Sequence, residues 1–324
     1  MVDLQSLQKC VDALMPKPDF FIVGAPKCGT TALYTYLSRH PDVGMSRAKE
    51  PNYFAPDTVA HRSFSTLEDY LTNFESAAGK LRVGEASVMY LSSPAAPLAI
   101  REFKSSAQII IMVRDPVEVL HALHSQNLHG GSEHVLEFAD ALASDEPRYW
   151  LQGPFCGEAV GGPSYRELVC FSAQIERYLE IFGEECVHLI DYEDFACDPK
   201  GAYERVLSFL GLDSDERNDF PVVNANRRVR YLTPHRWMRH PALLRLKREF
   251  PSLARGARSA MDFLNVVEEG RPTIAPDLRR RLDLEFAEER QKVNALLERR
   301  LQRRKTRMRL DTVDASKKWC ARPR

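Results

Sequence analysis

The segment Phe20-Phe21-Ile22-Val23-Gly24-Ala25-Pro26-Lys27-Cys28-Gly29-Thr30-Thr31 decides the fold. Its first four residues form a continuous apolar run, which is typical of a strand buried on both faces of a parallel sheet. The residues from Thr30 to Arg39 have the pattern of a helix. The loop between them contains two glycines, and its backbone N–H groups and the helix N-terminus suit an anion. The segment therefore predicts a strand, an anion-binding loop and a helix.

Three further apolar runs continue this rhythm. They cover residues 81–85, 109–113 and 187–190, and helical patterns lie between them, for example over 172–182 and 203–210. Alternating strands and helices predict an α/β fold with a right-handed, mostly parallel central sheet. We expect helices to flank this sheet in a three-layer, P-loop-like arrangement.

The chain divides into three predicted parts. Residues 1–18 have the pattern of an amphipathic helix, residues 19–275 form one domain, and residues 276–324 form a C-terminal helix and a basic tail. Within the domain, residues 126–165 are interrupted by Gly-Gly and Gly-Pro pairs. A long connection of this kind predicts a lid-like insertion.

Composition excludes several classes of protein. Of the 324 residues, 44% are hydrophobic, which excludes disorder over most of the chain. Lys plus Arg and Asp plus Glu both number 45, so the basic excess of a nucleic-acid-binding protein is missing and no such partner is expected. The seven cysteines contain no CxxC pair, so no metal site is predicted. The sequence shows neither a transmembrane segment nor a signal-peptide core, and we expect a cytoplasmic protein.

The glycine loop differs from the nucleoside-triphosphate loop G-x-x-x-x-G-K-[ST] at one position. Gly24, Gly29 and Thr31 fit its spacing, but Thr30 stands where the lysine belongs. The only lysine, Lys27, lies three residues earlier. The loop therefore predicts a phosphate site, and the displaced lysine argues against an ordinary kinase or ATPase.

Several elements resemble the 3′-phosphoadenylyl sulfate (PAPS)-dependent sulfotransferases. Pro26-Lys27-Cys28-Gly29-Thr30-Thr31 is similar to their 5′-phosphosulfate loop, P-K-x-G-T-[ST]. Lys49-Glu50-Pro51-Asn52-Tyr53-Phe54 resembles the K-E-x-x-[FY]-F element of the carbohydrate and bacterial branch. Three other similar segments, which follow in family order, are Val83–Leu91, Arg114-Asp115-Pro116 and Asp191–Phe195. The resemblance covers about residues 19–232.

The resemblance implies a role for individual residues. Glu50 would be the general base and Lys27 would stabilise the leaving phosphate. The residues implied to bind the sulfuryl donor are Lys27, Cys28, Gly29, Thr30, Thr31, Arg114, Ser125, Arg227 and Arg228.

Three of these assignments stay open at the level of sequence. The family's 3′-phosphate serine falls on Ala122, so Ser125, about one helical turn further on, is its expected replacement. Spacing does not decide which of Arg227, Arg228 and Arg230 points inward. Glu85 is either a substrate-binding, acceptor-facing carboxylate or a strand-end carboxylate with a cationic partner.

The implied reaction is sulfuryl transfer from PAPS, without a metal, to a hydroxyl or amine of a small-molecule, lipid or carbohydrate acceptor. Two alternatives are a P-loop nucleotide kinase and a non-catalytic nucleotide-binding protein. The acceptor, the choice between O- and N-sulfation and the oligomeric state are not determined by the sequence.

Overall fold

Five parallel strands form the centre of the protein. The computed structural model describes residues 15–58, 64–130, 133, 135–144, 163–223, 228–229, 266–267, 272–300 and 302. The strands are β1 (Phe20–Gly24), β2 (Val43–Met45), β3 (Arg82–Ala86), β4 (Gln108–Val113) and β5 (Val187–Asp191). They form one sheet in the order β2-β3-β1-β4-β5, and each neighbouring pair is parallel. The α/β prediction is confirmed, and of the five strands of this sheet only the three-residue β2 was not predicted.

Both faces of the sheet are covered. Phe20, Phe21, Ile22 and Val23 are all fully buried, as is the run 109–112 in β4. Because successive side chains of a strand point to opposite faces, burial of every residue requires a layer on each side. The continuous apolar runs of the sequence follow from this arrangement.

Helices supply the flanking layers. Their bounds are α1 (Thr30–Leu37), α2 (Leu67–Thr72), α3 (Ala96–Phe103), α4 (Pro116–Gly130), α5 (Phe138–Ser144), α6 (Tyr165–Leu168), α7 (Phe171–Phe182), α8 (Tyr192–Cys197), α9 (Pro199–Leu210) and α10 (Pro276–Glu285). Helix α1 packs on β1, β2 and β3, whereas α7 packs on β4 and β5. In the described ranges, no helix has both the length and the apolar character needed to cross a bilayer.

The three predicted parts of the chain are described to different extents. The predicted N-terminal helix, apart from residues 15–18, lies outside the described residues, and so does 145–162 of the lid-like insertion. Residues 126–130 of that insertion belong to α4. Helix α10 begins at Pro276, where the C-terminal helix was predicted to start, and helical turns continue over 287–300. Two short strands, β6 (Arg228–Val229) and β7 (Val266–Val267), pair antiparallel.

One edge of the sheet collects the predicted site residues. Strands β3, β1 and β4 are neighbours and run in the same direction, so their carboxyl ends lie side by side. The loops that follow these ends form the crevice in which open α/β sheets bind ligands.

Candidate active site

The loop after β1 is held against β4 and ends on a glycine that the geometry requires. The Ala25 N–H donates to the Met112 carbonyl at 2.6 Å. Gly29 has a φ of 86° and is the N-cap of α1. A Cβ on Gly29 would lie 3.2 Å from the Tyr192 ring and 3.3 Å from the Phe195 ring. Left-handed backbone and lack of space both favour glycine at this position.

The start of α1 is suited to an anion. Its N-cap offers no side-chain hydrogen bond and its first turn contains no acidic residue, so the positive end of the helix is not neutralised by its own turn. Thr30 is buried, and Thr31 is half-buried. The Cys28 thiol is fully buried and donates to the Pro26 carbonyl at 3.4 Å, and burial raises its pKa. Cys28 is therefore available to a ligand through its backbone rather than as a thiolate.

Lys27 contacts a residue that the sequence did not single out. Its Nζ donates to the Gln126 Oε1 at 2.9 Å, which connects the loop to α4. Ser125 is the preceding residue of α4 and is half-buried, whereas Ala122 is buried. The structure thus places the Ser125 segment beside the phosphate loop. No motif of the sequence pointed to Gln126, because the contact joins two residues 99 positions apart.

Glu50 is fastened to the end of β3. Its backbone N–H donates to the Ala86 carbonyl at 2.9 Å, and its Oε2 accepts from the Val88 N–H at 2.8 Å. Its Oε1 accepts from the Lys49 ammonium. Backbone and side chain are both held, so the Glu50 carboxyl has a defined position at the carboxyl end of β3.

Arg114 extends from the end of β4 and lies over an aromatic ring. Its Cζ is 4.3 Å from the centre of the Tyr192 ring. Two carboxylates are near it: the Glu193 Oε1 is 3.5 Å from its Nε, and the Glu118 Oε2 is 3.8 Å from its Nη2. Among the described residues, the buried Nε has no hydrogen-bond partner. The planar fork of a guanidinium suits a phosphate group.

Tyr192 contacts both of the elements that are predicted to bind phosphate. Its ring packs against Gly29 in the loop and lies beneath the Arg114 guanidinium. In the sequence, the segment around Tyr192 resembles the family but carries no predicted binding role. Only the packing of α8 in the folded protein shows that Tyr192 contacts both elements.

Glu85 does not lie at the crevice surface. It is fully buried in β3, beside the hydroxyls of Tyr70 and Tyr90, yet neither carboxyl oxygen meets a donor in good hydrogen-bonding geometry. Burial raises the pKa of this carboxyl to about 8. Two tyrosine hydroxyls are among the polar groups around it, and its role in binding an acceptor stays a prediction.

The predicted arginine loop is described only in part. Arg227 and Arg230 lie outside the described residues, and Arg228 is described only by its backbone, in β6. Of the predicted residues, the structure brings the phosphate loop, Glu50 and Arg114 to the same edge of the sheet.

The chain is similar to known proteins in sequence and in fold. A crystal structure of a sulfotransferase from Alicyclobacillus acidocaldarius is similar, with a TM-score of 0.56 and 28% identity, and it covers 77% of this chain and 96% of that protein. Carbohydrate sulfotransferase 15 of Mus musculus is 26% identical over 60% of this chain and 44% of its own length. The bifunctional heparan sulfate N-deacetylase/N-sulfotransferase 3 of Homo sapiens is 27% identical over 65% of this chain and 24% of its own length.

The chain thus spans less than half the length of the curated relatives it matches. The family model described as "Sulfotransferase domain" matches residues 17–224, the region that contains the five-stranded sheet and the crevice. This match covers more than half of the chain, and the protein therefore belongs to the sulfotransferase domain family.

Proposed function

We propose that this protein transfers a sulfuryl group from PAPS to a hydroxyl or amine of an acceptor. The observation that carries the proposal is the distribution of charge along one edge of the sheet. Lys27 and the N-terminus of α1 follow β1, while Arg114 follows the adjacent β4. Two separate phosphate-binding groups on neighbouring strands fit a donor that carries phosphate at both the 5′ and the 3′ position of its ribose.

The two ends of the donor would bind to different elements. The backbone N–H groups from Cys28 to Thr31 and the Lys27 ammonium suit the 5′-phosphosulfate. Arg114, supported by the Tyr192 ring, suits the 3′-phosphate, with Ser125 on the nearby α4 as a further contact. Binding at both ends would fix the sulfur for attack from the open side of the crevice.

The proposed transfer forms one bond to sulfur and breaks another. The acceptor oxygen or nitrogen attacks the sulfur, and the bond from sulfur to the 5′-phosphate oxygen breaks in line with it. Glu50 accepts the proton that the acceptor loses. The negative charge that develops on the leaving phosphate oxygen is stabilised by Lys27 and the loop N–H groups.

Glu50 is suited to this task by the way it is held. The Val88 N–H fixes one carboxyl oxygen at 2.8 Å and the Lys49 ammonium contacts the other. A base held by its neighbours loses little orientational freedom when the acceptor binds.

The acceptor class is proposed as a carbohydrate, a lipid or a small molecule. The names of two relatives, a carbohydrate sulfotransferase and a heparan sulfate N-sulfotransferase, favour a carbohydrate hydroxyl or amine as the first class to test.

The proposal is tested by turnover with ³⁵S-labelled PAPS and a panel of sugars, lipids and small metabolites. Glu50→Gln keeps the shape of the side chain but cannot accept a proton, so we expect kcat to fall about 100-fold or more while adenosine 3′,5′-bisphosphate still binds. Lys27→Ala is expected to lower both nucleotide affinity and kcat. The matched control is Lys80→Ala, a lysine that contacts the Pro41 carbonyl away from the loop.

The outcome that contradicts the role assignments is full turnover in both Glu50→Gln and Lys27→Ala. Wild-type protein that ignores adenosine 3′,5′-bisphosphate but binds ATP with magnesium would instead contradict the proposed donor. Circular dichroism of each variant separates loss of chemistry from loss of fold.

A further inference from the structure

The C-terminal helices contact the Arg114 segment through a network of charged side chains. Arg279 on α10 donates to the Glu118 Oε1 at 2.7 Å and to both oxygens of Asp283 at 3.0 and 3.1 Å. Arg290, in the following helical turns, donates to the Asp115 Oδ2 at 2.6 Å and to the Asp283 Oδ1 at 2.7 Å. Asp115 directly follows Arg114 in the chain, and Glu118 lies about one helical turn after Arg114.

The C-terminal members of this network, Arg279 and Arg290, lie outside the segment that the family model matches, whereas Asp115 and Glu118 lie inside it. That match ends at residue 224, whereas Arg279 and Arg290 lie far beyond it. The C-terminal helices therefore reach back onto the end of β4 and the start of α4, where Asp115 accepts from the Glu118 N–H at 3.1 Å and so caps the helix.

Glu118 lies between two arginines but is closer to one of them. Its Oε1 is 2.7 Å from the Arg279 Nη1, whereas its Oε2 forms a longer ion pair of 3.8 Å with the Arg114 Nη2, beyond hydrogen-bonding distance. A carboxylate one helical turn from an arginine is positioned to approach it more closely than this. The hydrogen bond to Arg279 keeps the ion pair with Arg114 long.

We propose that Arg279 is a positioning residue that engages Glu118 and so leaves the Arg114 guanidinium available to the 3′-phosphate of the nucleotide. This inference rests on the proposed function. Without Arg279, Glu118 turns toward Arg114 and competes with the phosphate for the same donors, because a guanidinium binds carboxylate and phosphate with the same planar geometry. This competition lowers the affinity for ligands that carry a 3′-phosphate and not for ligands that lack it.

The test compares two nucleotides by isothermal titration calorimetry with the full chain. Adenosine 3′,5′-bisphosphate carries the 3′-phosphate, and adenosine 5′-phosphate lacks it. For Arg279→Ala, we expect affinity for the bisphosphate to fall about tenfold, the worth of one charge-assisted hydrogen bond, with little change for the monophosphate.

The decisive variant is the double substitution Arg279→Ala with Glu118→Gln. Removing the competing charge should restore the affinity for the bisphosphate to within about threefold of wild type, although the contact with α10 is still missing. Arg279→Lys keeps the positive charge but loses the planar, forked guanidinium. Its affinity for the bisphosphate should therefore lie between those of wild type and Arg279→Ala. The matched control is Arg280→Ala, because Arg280 is the next residue, its side chain is 75% exposed, and within the described part of the chain it forms an ion pair with the nearby Asp277.

Two results overturn the inference while leaving the proposed function intact. The first result is that both Arg279→Ala and Arg279→Lys keep the wild-type preference for the bisphosphate over the monophosphate. The other is loss of affinity for both nucleotides that Glu118→Gln does not restore, which would assign Arg279 to the fold alone. Wild-type protein that binds the two nucleotides equally would contradict the 3′-phosphate site of the proposed function itself. Thermal unfolding of each variant shows whether it is folded at the temperature of the titration.

Discussion

The Lys27 ammonium donates a hydrogen bond of 2.9 Å to the side-chain carbonyl of Gln126. This contact joins the phosphate loop after β1 to helix α4, which follows the neighbouring strand β4. The cation proposed to act on the leaving phosphate therefore has a neutral acceptor as one of its contacts. This contact positions the ammonium and does not itself cancel its charge.

Changing the charge of this acceptor should weaken donor binding. Gln126→Glu keeps the side-chain length but pairs Lys27 with a carboxylate and adds a negative charge beside the phosphates. We expect affinity for adenosine 3′,5′-bisphosphate to fall about tenfold or more, and less at high salt because the effect is electrostatic. Gln126→Ala, which adds no charge, should change the affinity by about threefold at most. Equal effects of the two variants in calorimetry would contradict this account.

Substitution of Gly29 should damage the loop more than a typical surface change. Alanine at this position combines a φ of 86° with a Cβ only 3.2 Å from the Tyr192 ring. The left-handed conformation alone costs about 1–2 kcal/mol for a residue with a Cβ. We expect Gly29→Ala to lower the free energy of unfolding by at least that amount and to weaken nucleotide binding.

The matched control for this variant is Gly79→Ala. Gly79 has a similar φ of 78°, but nothing lies within 4 Å of its Cβ position. Chemical denaturation should show a comparable backbone penalty in both variants, whereas only Gly29→Ala should lose nucleotide affinity. Normal binding by Gly29→Ala would show that the packing against Tyr192 is not needed.

The Tyr192 ring should contribute to binding through Arg114. Tyr192→Leu removes the aromatic face that lies 4.3 Å from the Arg114 guanidinium, an interaction worth about 0.5–2 kcal/mol. We expect a loss of about threefold to thirtyfold in affinity for adenosine 3′,5′-bisphosphate. Tyr192→Phe keeps the ring and should bind like wild type. An equal loss in both variants would assign the effect to the hydroxyl group instead.

The buried Glu85 should make the protein less stable as the pH rises. Burial raises the pKa of this carboxyl from 4.5 to about 8, so at neutral pH it is protonated in the folded protein and ionised in the unfolded chain. At pH values between 4.5 and about 8, the folded protein therefore binds one proton more at Glu85 than the unfolded chain does. The free energy of unfolding therefore falls as pH rises through this window, by at most about 1.4 kcal/mol per pH unit from this group.

Glu85→Gln provides the measurement, because an amide keeps the shape of the protonated acid and does not ionise. The melting temperature of wild type should fall more steeply between about pH 5 and pH 8 than that of the variant. Glu102→Gln, on an exposed position of α3, serves as the control and should follow wild type. Parallel curves for wild type and Glu85→Gln would show that Glu85 ionises normally.

Much of the fold follows from short-range patterns. The runs at 20–23, 109–113 and 187–190 are continuous because a sheet covered on both faces has no polar side, and each run became a strand. Pro116 begins α4 with Asp115 as its cap, as a proline at the first helical position predicts. Strand β2 was not predicted, because three residues are too few to show a period.

The candidate site was predictable where its residues are adjacent in the chain. Lys27 and Gly29 belong to one loop, and Lys49 and Glu50 to another, so the resemblance of each short segment to the family identifies them. The contact of Lys27 with Gln126 was not predictable, since it joins a loop to a helix residue 99 positions further along the chain.

The order of residues along the chain determined the strands, the phosphate loop and the family to which the protein belongs, because hydrophobic period and local backbone geometry act over a few residues. Folding in three dimensions decided which side chains meet: Tyr192 beneath Arg114, Arg279 on Glu118, and Glu85 buried between two tyrosines. Charge, burial and competition for donors depend on distances through space, and these exist only once the parallel sheet has brought distant segments to one edge.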